Sequence, residues 1–197
     1  MNLQIFQVDA FTKEVFRGNP AAVVPLSKWL DDQTMQRIAA ENNLAETAFF
    51  VPKDDHYEIR WFTPLVEINL CGHATLGSAY VIFNCLHLED QFIKFRSPIS
   101  GELSVEKQGD VLVLDFPAYE STEVKISKDA AQAVGKTPKT MFETQGDMAM
   151  LVFENEAEIQ NLAPDMSAVS ALEYREIIVT ARGDSADVVS RMFAPRV

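Results

Sequence analysis

The sequence predicts an α+β fold in which short strands surround one buried helix. Three observations carry that expectation. Strand-like and helix-like segments alternate through all 197 residues, with no tandem repeat and no long linker. Residues 70–88 hold no formal charge over 19 positions, and a helix apolar on nearly every face must be enclosed. No strand-like segment is the continuous apolar run that a parallel α/β core demands, so the sheet is expected to be mixed or antiparallel. Two architectures satisfy these facts: a sheet curled around the helix, or a two-layer sandwich with the helix on one face.

The elements follow in order. Residues 3–8 (LQIFQV) are apolar and partly alternating, which reads as a strand. Asn19-Pro20 marks a turn, and AAVVPL after it is a short strand ending at Pro25. Asp31 or Asp32 can cap a helix reaching about Asn43, with Met35, Ile38, Ala39 and Asn42 on one face. Residues 47–51 form a strand stopped by Pro52, and 57–62 (YEIRWF) alternate as a half-buried strand. The uncharged helix occupies about 72–86. Strands at 92–96, 101–107 and 111–116 follow, the last two joined through Gly109-Asp110. Pro117 closes this part, so a boundary is expected there, giving units 1–117 and 118–197. Beyond it, Ser127 caps a helix to Val134, and 139–143 and 149–153 are strands. A helical turn at 167–172 precedes strands at 175–180 and 188–193.

Charge and cysteine content narrow the function. Lys plus Arg number 17 and Asp plus Glu 29, a net charge of −12. Such a surface repels phosphate backbones and anionic lipid, so neither nucleic acid nor membrane is an expected partner, while a small anionic metabolite held in a local pocket remains one. The uncharged segment contains seven Gly, His, Thr, Ser or Asn residues and acidic flanks, which disfavours a bilayer span. Cys71 and Cys85 lie about 21 Å apart along a helix, beyond disulfide reach, and a reducing, cytoplasmic location fits. The opening MNLQIFQVDAF lacks the pattern of a signal peptide.

Chemistry concentrates at the start of the uncharged helix, where Cys71, Gly72, His73 and Thr75 cluster. A helix N-terminus presents unpaired N–H groups suited to a carboxylate or a developing oxyanion. Gly72 admits a ligand close to the backbone. His73 can donate or shuttle a proton, and Cys71 can serve as a thiolate, its pKa lowered by the helix end. Packing cysteine and capping histidine are the plainer alternatives. Cys-x-His without a second ligand pair gives no metal signature. Glu46 lies between a helix end and an apolar strand, where partial burial would suit it to acid–base work. The remaining acids (Asp31, Asp32, Asp54, Asp55, Glu154, Glu156, Glu158) read as solvated surface or helix starts. P-loop, G-x-G-x-x-G and G-x-S-x-G motifs are absent from the sequence.

VDAF (8–11), FRGNPAAVV (16–24), LAETAF (44–49), WFTP (61–64), CGHATLGSAYVIF (71–83), LDFP (114–117) and RMFAP (191–195) together resemble the PhzF-like family, named for phenazine biosynthesis. The resemblance runs from end to end of the chain. It implies the diaminopimelate-epimerase-like fold, two similar lobes each with a mixed, barrel-like sheet wrapped around a central helix, and so favours the curled architecture. It implies an isomerase that moves a proton without a cofactor, with Glu46 as general acid/base. The implied substrate-binding set is Asn19, Cys71, Gly72, His73, Ala74 and Thr75, with no metal. Cys71 aligns with a catalytic cysteine of the epimerase relatives, whereas PhzF-like members use the glutamate. The family is commonly dimeric, so a homodimer is expected.

Family members continue well past the RMFAP stretch, into a segment that supplies the second lobe's central helix. The second lobe is therefore expected to be incomplete, with apolar strand faces at Leu151, Phe153, Ile177 and Val179 uncovered or covered by another molecule, and activity is expected to be impaired. Alternative expectations are a non-catalytic ligand-binding or oligomer-forming remnant, and a Cys71-dependent racemase.

Overall fold

The computed structural model describes residues 2–86, 89–144 and 147–196. The chain divides into two units, Met1–Pro117 and Ala118–Val197. In the first, β1 (Phe6–Ala10) and β2 (Asn19–Pro25) pair antiparallel, and α1 (Asp32–Asn42) crosses to β3 (Glu46–Pro52), which lies parallel to β2. Then come β4 (Tyr57–Phe62), the two-residue β5 (Glu67–Ile68), α2 (Gly72–Cys85), β6 (Phe92–Ser97), β7 (Gly101–Gln108) and β8 (Val111–Asp115). The sheet order is β1-β2-β3-β4-β6-β7-β8, with β5 on β4. Parallel pairs β2–β3 and β4–β6 make it mixed.

Helix α2 contacts β1, β2 and β3 at one end of that order and β8 at the other, so the sheet curls around it. Its Ala74, Val81, Ile82 and Phe83 bury with Val23, Phe50, Ile59, Trp61, Phe95 and Leu103. Period-2 alternation divides β3 cleanly: Ala48 and Phe50 join this core, while Phe49 and Val51 join a second one beneath α1. Enclosure of α2 is less complete than its composition predicts. Tyr80 is 48% exposed and Asn84 is exposed, so one stripe at i, i+4 spacing faces outward.

Element starts follow local chemistry. Asp31 caps α1 by accepting from the Thr34 N–H at 2.9 Å, and Ser127 caps α3. Gly109, at φ +62°, makes the two-residue turn between β7 and β8 that places Gln108 opposite Val111. The first strand starts at Phe6 rather than Leu3, because its pairing runs from Phe6–Val23 to Ala10–Asn19.

The second unit holds β9 (Ser121–Val124), α3 (Lys128–Val134), β10 (Thr140–Thr144), β11 (Met148–Val152), α4 (Glu156–Asn161), α5 (Met166–Ala171), β12 (Glu176–Arg182) and β13 (Val188–Phe193), with strand order β13-β12-β11-β10-β9. The expectation that Leu151, Phe153, Ile177 and Val179 are uncovered is wrong. All four are at most 3% exposed. Residues of α3, α4 and α5 (Ala130, Val134, Ile159, Val169) pack on that face and bury it. The opposite face aligns Phe142, Met150, Ile178 and Met192 across four strands, half-exposed to exposed.

A repeat invisible in the sequence appears in the pairing. In β1-β2-α1-β3-β4 and again in β10-β11-α4-α5-β12-β13, an antiparallel pair is followed by a helical crossover to a parallel strand and a second antiparallel pair. Pairing constrains apolarity and length rather than residue identity, so the topology repeats without a sequence repeat. Among the described residues, no helix is long and apolar enough to cross a membrane.

Candidate active site

Glu46 owes its place to the end of α1. Asn43 adopts the left-handed conformation (φ 50°) and its N–H caps Ala39, which turns the chain back toward the sheet. The Asn42 side chain donates to Thr47 Oγ1 at 3.3 Å, tying helix end to strand start. Glu46 then begins β3 opposite Ala21 of β2. By alternation it shares the face of Ala48 and Phe50, at the rim of the α2 core.

The other half of the site is delivered by the turn after β4. Thr63 accepts from the N–H groups of Leu65 and Val66 and donates to the Val66 carbonyl, closing the WFTP turn. Arg60 grips Glu67 with two nitrogens at 2.7 Å each and reaches Asp32 at 2.8 Å, fixing β5 against β4. Ser100 donates to the Asn69 carbonyl at 2.6 Å. Cys71 follows as the N-cap of α2, in extended conformation (φ −143°, ψ 112°). Its carbonyl receives the Thr75 N–H at 3.2 Å and the Thr75 hydroxyl at 2.6 Å.

Three of the expected residues meet. His73 Nε2 lies 3.0 Å from Glu46 Oε2, and His73 Nδ1 lies 3.4 Å from Cys71 Sγ. Both members of the first pair are shielded, with side chains 9% and 16% exposed. Distance brings them together but direction does not complete the bond: among the described residues neither Glu46 Oε2 nor His73 Nε2 has a well-directed hydrogen-bond partner. A buried polar atom left so costs about 1–3 kcal/mol, and a polar group of a ligand seated beside the pair would recover it.

The Cys71 thiol is not the activated group that its helix position implies. Burial pushes its pKa well up and the Glu46 charge adds to the rise, while the first-turn N–H groups of Ala74 and His73 pull weakly the other way. Desolvation thus opposes, and outweighs, the lowering expected from the helix end.

Gly72 is half-buried, and a Cβ there would meet only Phe116 Cε2, at 3.6 Å. Packing does not require the glycine; the open space before it lies at the helix mouth. Phe116, in the LDFP stretch, is thus a neighbour of the helix mouth that sequence reasoning missed. Ala74 is fully buried and Thr75 spends its hydroxyl on Cys71, so these two offer the site backbone rather than side-chain groups. Asn19 is exposed at the start of β2, two residues before the partner of Glu46.

Glu46, Cys71 and His73 place one donor atom each within 4.8 Å of the others. The imidazole stands between thiol and carboxylate and meets them through different nitrogens. Two surface concavities, one in the second unit lined by Gly135, Glu158 and Asn161 and one in the first lined by Trp29, Arg60 and Arg96, include none of these three residues.

Known proteins share this arrangement of elements. The family model described as phenazine biosynthesis-like protein matches residues 8–197. An uncharacterized isomerase of Pseudomonas aeruginosa is 46% identical over 197 residues, all of this chain and 75% of that protein. A crystal structure of a phenazine biosynthesis protein of the PhzF family from Enterococcus faecalis superposes with TM-score 0.89 at 44% identity, over 100% of this chain and 75% of that one. A predicted epimerase of Pseudomonas aeruginosa shares the fold at TM-score 0.65 and 18% identity, over 90% of this chain and 70% of that one. These likenesses identify the curled architecture as the diaminopimelate-epimerase-like α+β fold.

Proposed function

The chain belongs to the phenazine biosynthesis-like PhzC/PhzF family, and from that premise we propose that it is a cofactor-independent isomerase moving a proton on a small carboxylate-bearing metabolite. The observation that carries this reading is the shielded Glu46–His73 pair at the mouth of α2, with one polar atom on each side lacking a directed partner.

The chemistry follows from the parts. Removing a proton next to a carboxylate leaves negative charge that must be held as it forms. Glu46 is the base and then the acid, returning the proton at a different position or face. The N–H groups of Gly72, His73 and Ala74, in the first turn of a 14-residue helix, have no intrahelical acceptor and point at the site of the substrate's anionic group. His73 Nε2–H completes the donor set. The surroundings of Cys71 favour this reading over the Cys71-dependent one: burial and the Glu46 charge both push the thiol's pKa up. Cys85, at the far end of α2, supplies no partner thiol.

The test is deuterium incorporation, followed by NMR, over a panel of small amino and hydroxy carboxylates in D2O. The chain is expected to label at least one at a carbon next to the carboxylate, and Glu46→Gln to abolish that labelling. Labelling by Glu46→Gln at the original rate would remove Glu46 from the reaction. Failure to label any member would remove proton transfer on this substrate class.

A further inference from the structure

Cys71 lies in contact with His73, yet the proton transfer derived above does not use it. The contact is geometrically unusual. Residues two apart on a helix face away from each other. Cys71 escapes that rule because it stands outside the helix, as an N-cap with extended backbone. Its carbonyl is pinned by two bonds from Thr75, to the N–H at 3.2 Å and the hydroxyl at 2.6 Å. So held, its side chain swings back over the first turn and places Sγ 3.4 Å from His73 Nδ1.

The imidazole thus has a neighbour at each nitrogen, with sulfur 3.4 Å from Nδ1 and the Glu46 carboxylate 3.0 Å from Nε2 without a well-directed bond. A neutral ring carries one donor and one acceptor nitrogen, and an ionised carboxylate can only accept. A carboxylate oxygen 3.0 Å from Nε2 repels a bare lone pair there and favours the proton on that nitrogen, whether or not the bond is well directed. That leaves Nδ1 bare and in need of a donor, and the neighbour placed there is a thiol. We propose that Cys71 is a positioning residue: its S–H donates to His73 Nδ1 and holds the imidazole as the Nε2–H tautomer, with that N–H on the Glu46 side and available to the substrate anion.

A second observation supports the direction of the bond. Burial and the charge on Glu46 both keep the sulfur protonated, so the hydrogen the bond needs is present across neutral pH. The arrangement also explains why a thiol sits where Asp would cap better: a capping carboxylate would place a second negative charge beside Glu46 and could not donate to Nδ1. The functional consequence rests on the proposed acid–base reading of Glu46, but the tautomer itself does not.

The tautomer is read directly from long-range proton–nitrogen NMR of the uniformly 15N-labelled chain, in which the two ring nitrogens of each tautomer resonate apart. The chain has three histidines, and His56→Gln and His87→Gln assign the other two by difference. His73 is expected as the Nε2–H form at neutral pH, to remain so in Cys71→Ser, which keeps a donor, and to shift about fivefold or more toward Nδ1–H in Cys71→Ala, the weight of one hydrogen bond. An Nδ1–H ring or a doubly protonated ring in the wild type overturns the proposal, and so does an unchanged tautomer ratio in Cys71→Ala. If Cys71→Ala does not fold, the wild-type and Cys71→Ser spectra still decide. The expected tautomers together with full-rate exchange by Glu46→Gln would leave this assignment standing and remove the proton-transfer reading instead.

Discussion

His73 Nε2 stands 3.0 Å from Glu46 Oε2, across 73 − 46 = 27 residues of chain. Two separate devices bring them there: the left-handed Asn43 that ends α1, and the Thr63 turn with the Arg60 clamp that aims α2. The pair is therefore held by the frame of the first unit and not by its own attraction, which is why it can stand with imperfect hydrogen-bond direction. A site kept in this state favours a ligand that completes the missing bonds.

Gly72 separates binding from folding. Its φ is not among the positive values and a methyl group would make only an ordinary contact with Phe116. Ala is a better helix former than Gly by up to about 1 kcal/mol. Gly72→Ala should leave stability equal or slightly higher in urea unfolding. If the substrate anion approaches the helix mouth, the added methyl should weaken bonds to the N–H groups and slow deuterium exchange by about tenfold or more, the scale of one charge-assisted hydrogen bond. Unaltered exchange would take the helix mouth out of the site.

Alkaline stability reports the state of Cys71. Burial, with Glu46, holds the folded thiol well above its ordinary value. Above about pH 8.5 an unfolded chain releases that proton while the folded chain keeps it. The native state then binds more protons, so stability falls as pH rises, by about 1.4 kcal/mol per pH unit from this group. The contribution is fully present below about pH 8.5 and is lost as pH climbs toward the folded-state value. Tyr57 and Tyr174, also raised by burial, join from about pH 10. Urea midpoints between pH 8.5 and 10 should therefore fall more steeply for the wild type than for Cys71→Ser. Equal slopes would show that the thiol ionises freely.

How much of this was legible in the sequence depended on how local each cause is. The strand at 57–62, the caps at Asp31 and Ser127 and the Gly109-Asp110 turn were readable because neighbouring residues determine them. The absence of charge over 70–88 pointed to the buried helix, but not to the outward stripe of Tyr80 and Asn84, which depends on where the sheet stops. The two-residue β5, polar β9 and six-residue α4 are too short to leave a periodic signal. Glu46 and His73 were each visible as candidates; their meeting was not, because it is a tertiary distance. Cys71 could be read either as a thiolate or as packing, and the sequence could not decide for the same reason. A helix end is a sequence feature, whereas the burial that overrides it belongs to the fold.

Arg191 opens the RMFAP stretch, and the structure gives it a job in packing. Its Nη1 donates to the carbonyls of Ile159 and Leu162 at 3.0 and 2.9 Å, two of the groups left without helical partners where α4 ends. Its guanidinium lies 5.1 Å from the Phe193 ring centroid, and Phe193 is buried in the second core. One side chain of β13 thus fastens α4 to the sheet and helps to cover Ile177 and Val179. Arg191→Met keeps the apolar stem but orphans both carbonyls, and hydrogen bonds from a charged donor are worth about 1.5–3 kcal/mol. Urea unfolding should show a loss of about 2 kcal/mol. Arg191→Lys should recover part of it, because an ammonium can reach one carbonyl but lacks the planar fork that serves two. Wild-type stability in Arg191→Met would show that the end of α4 is held by its apolar contacts alone.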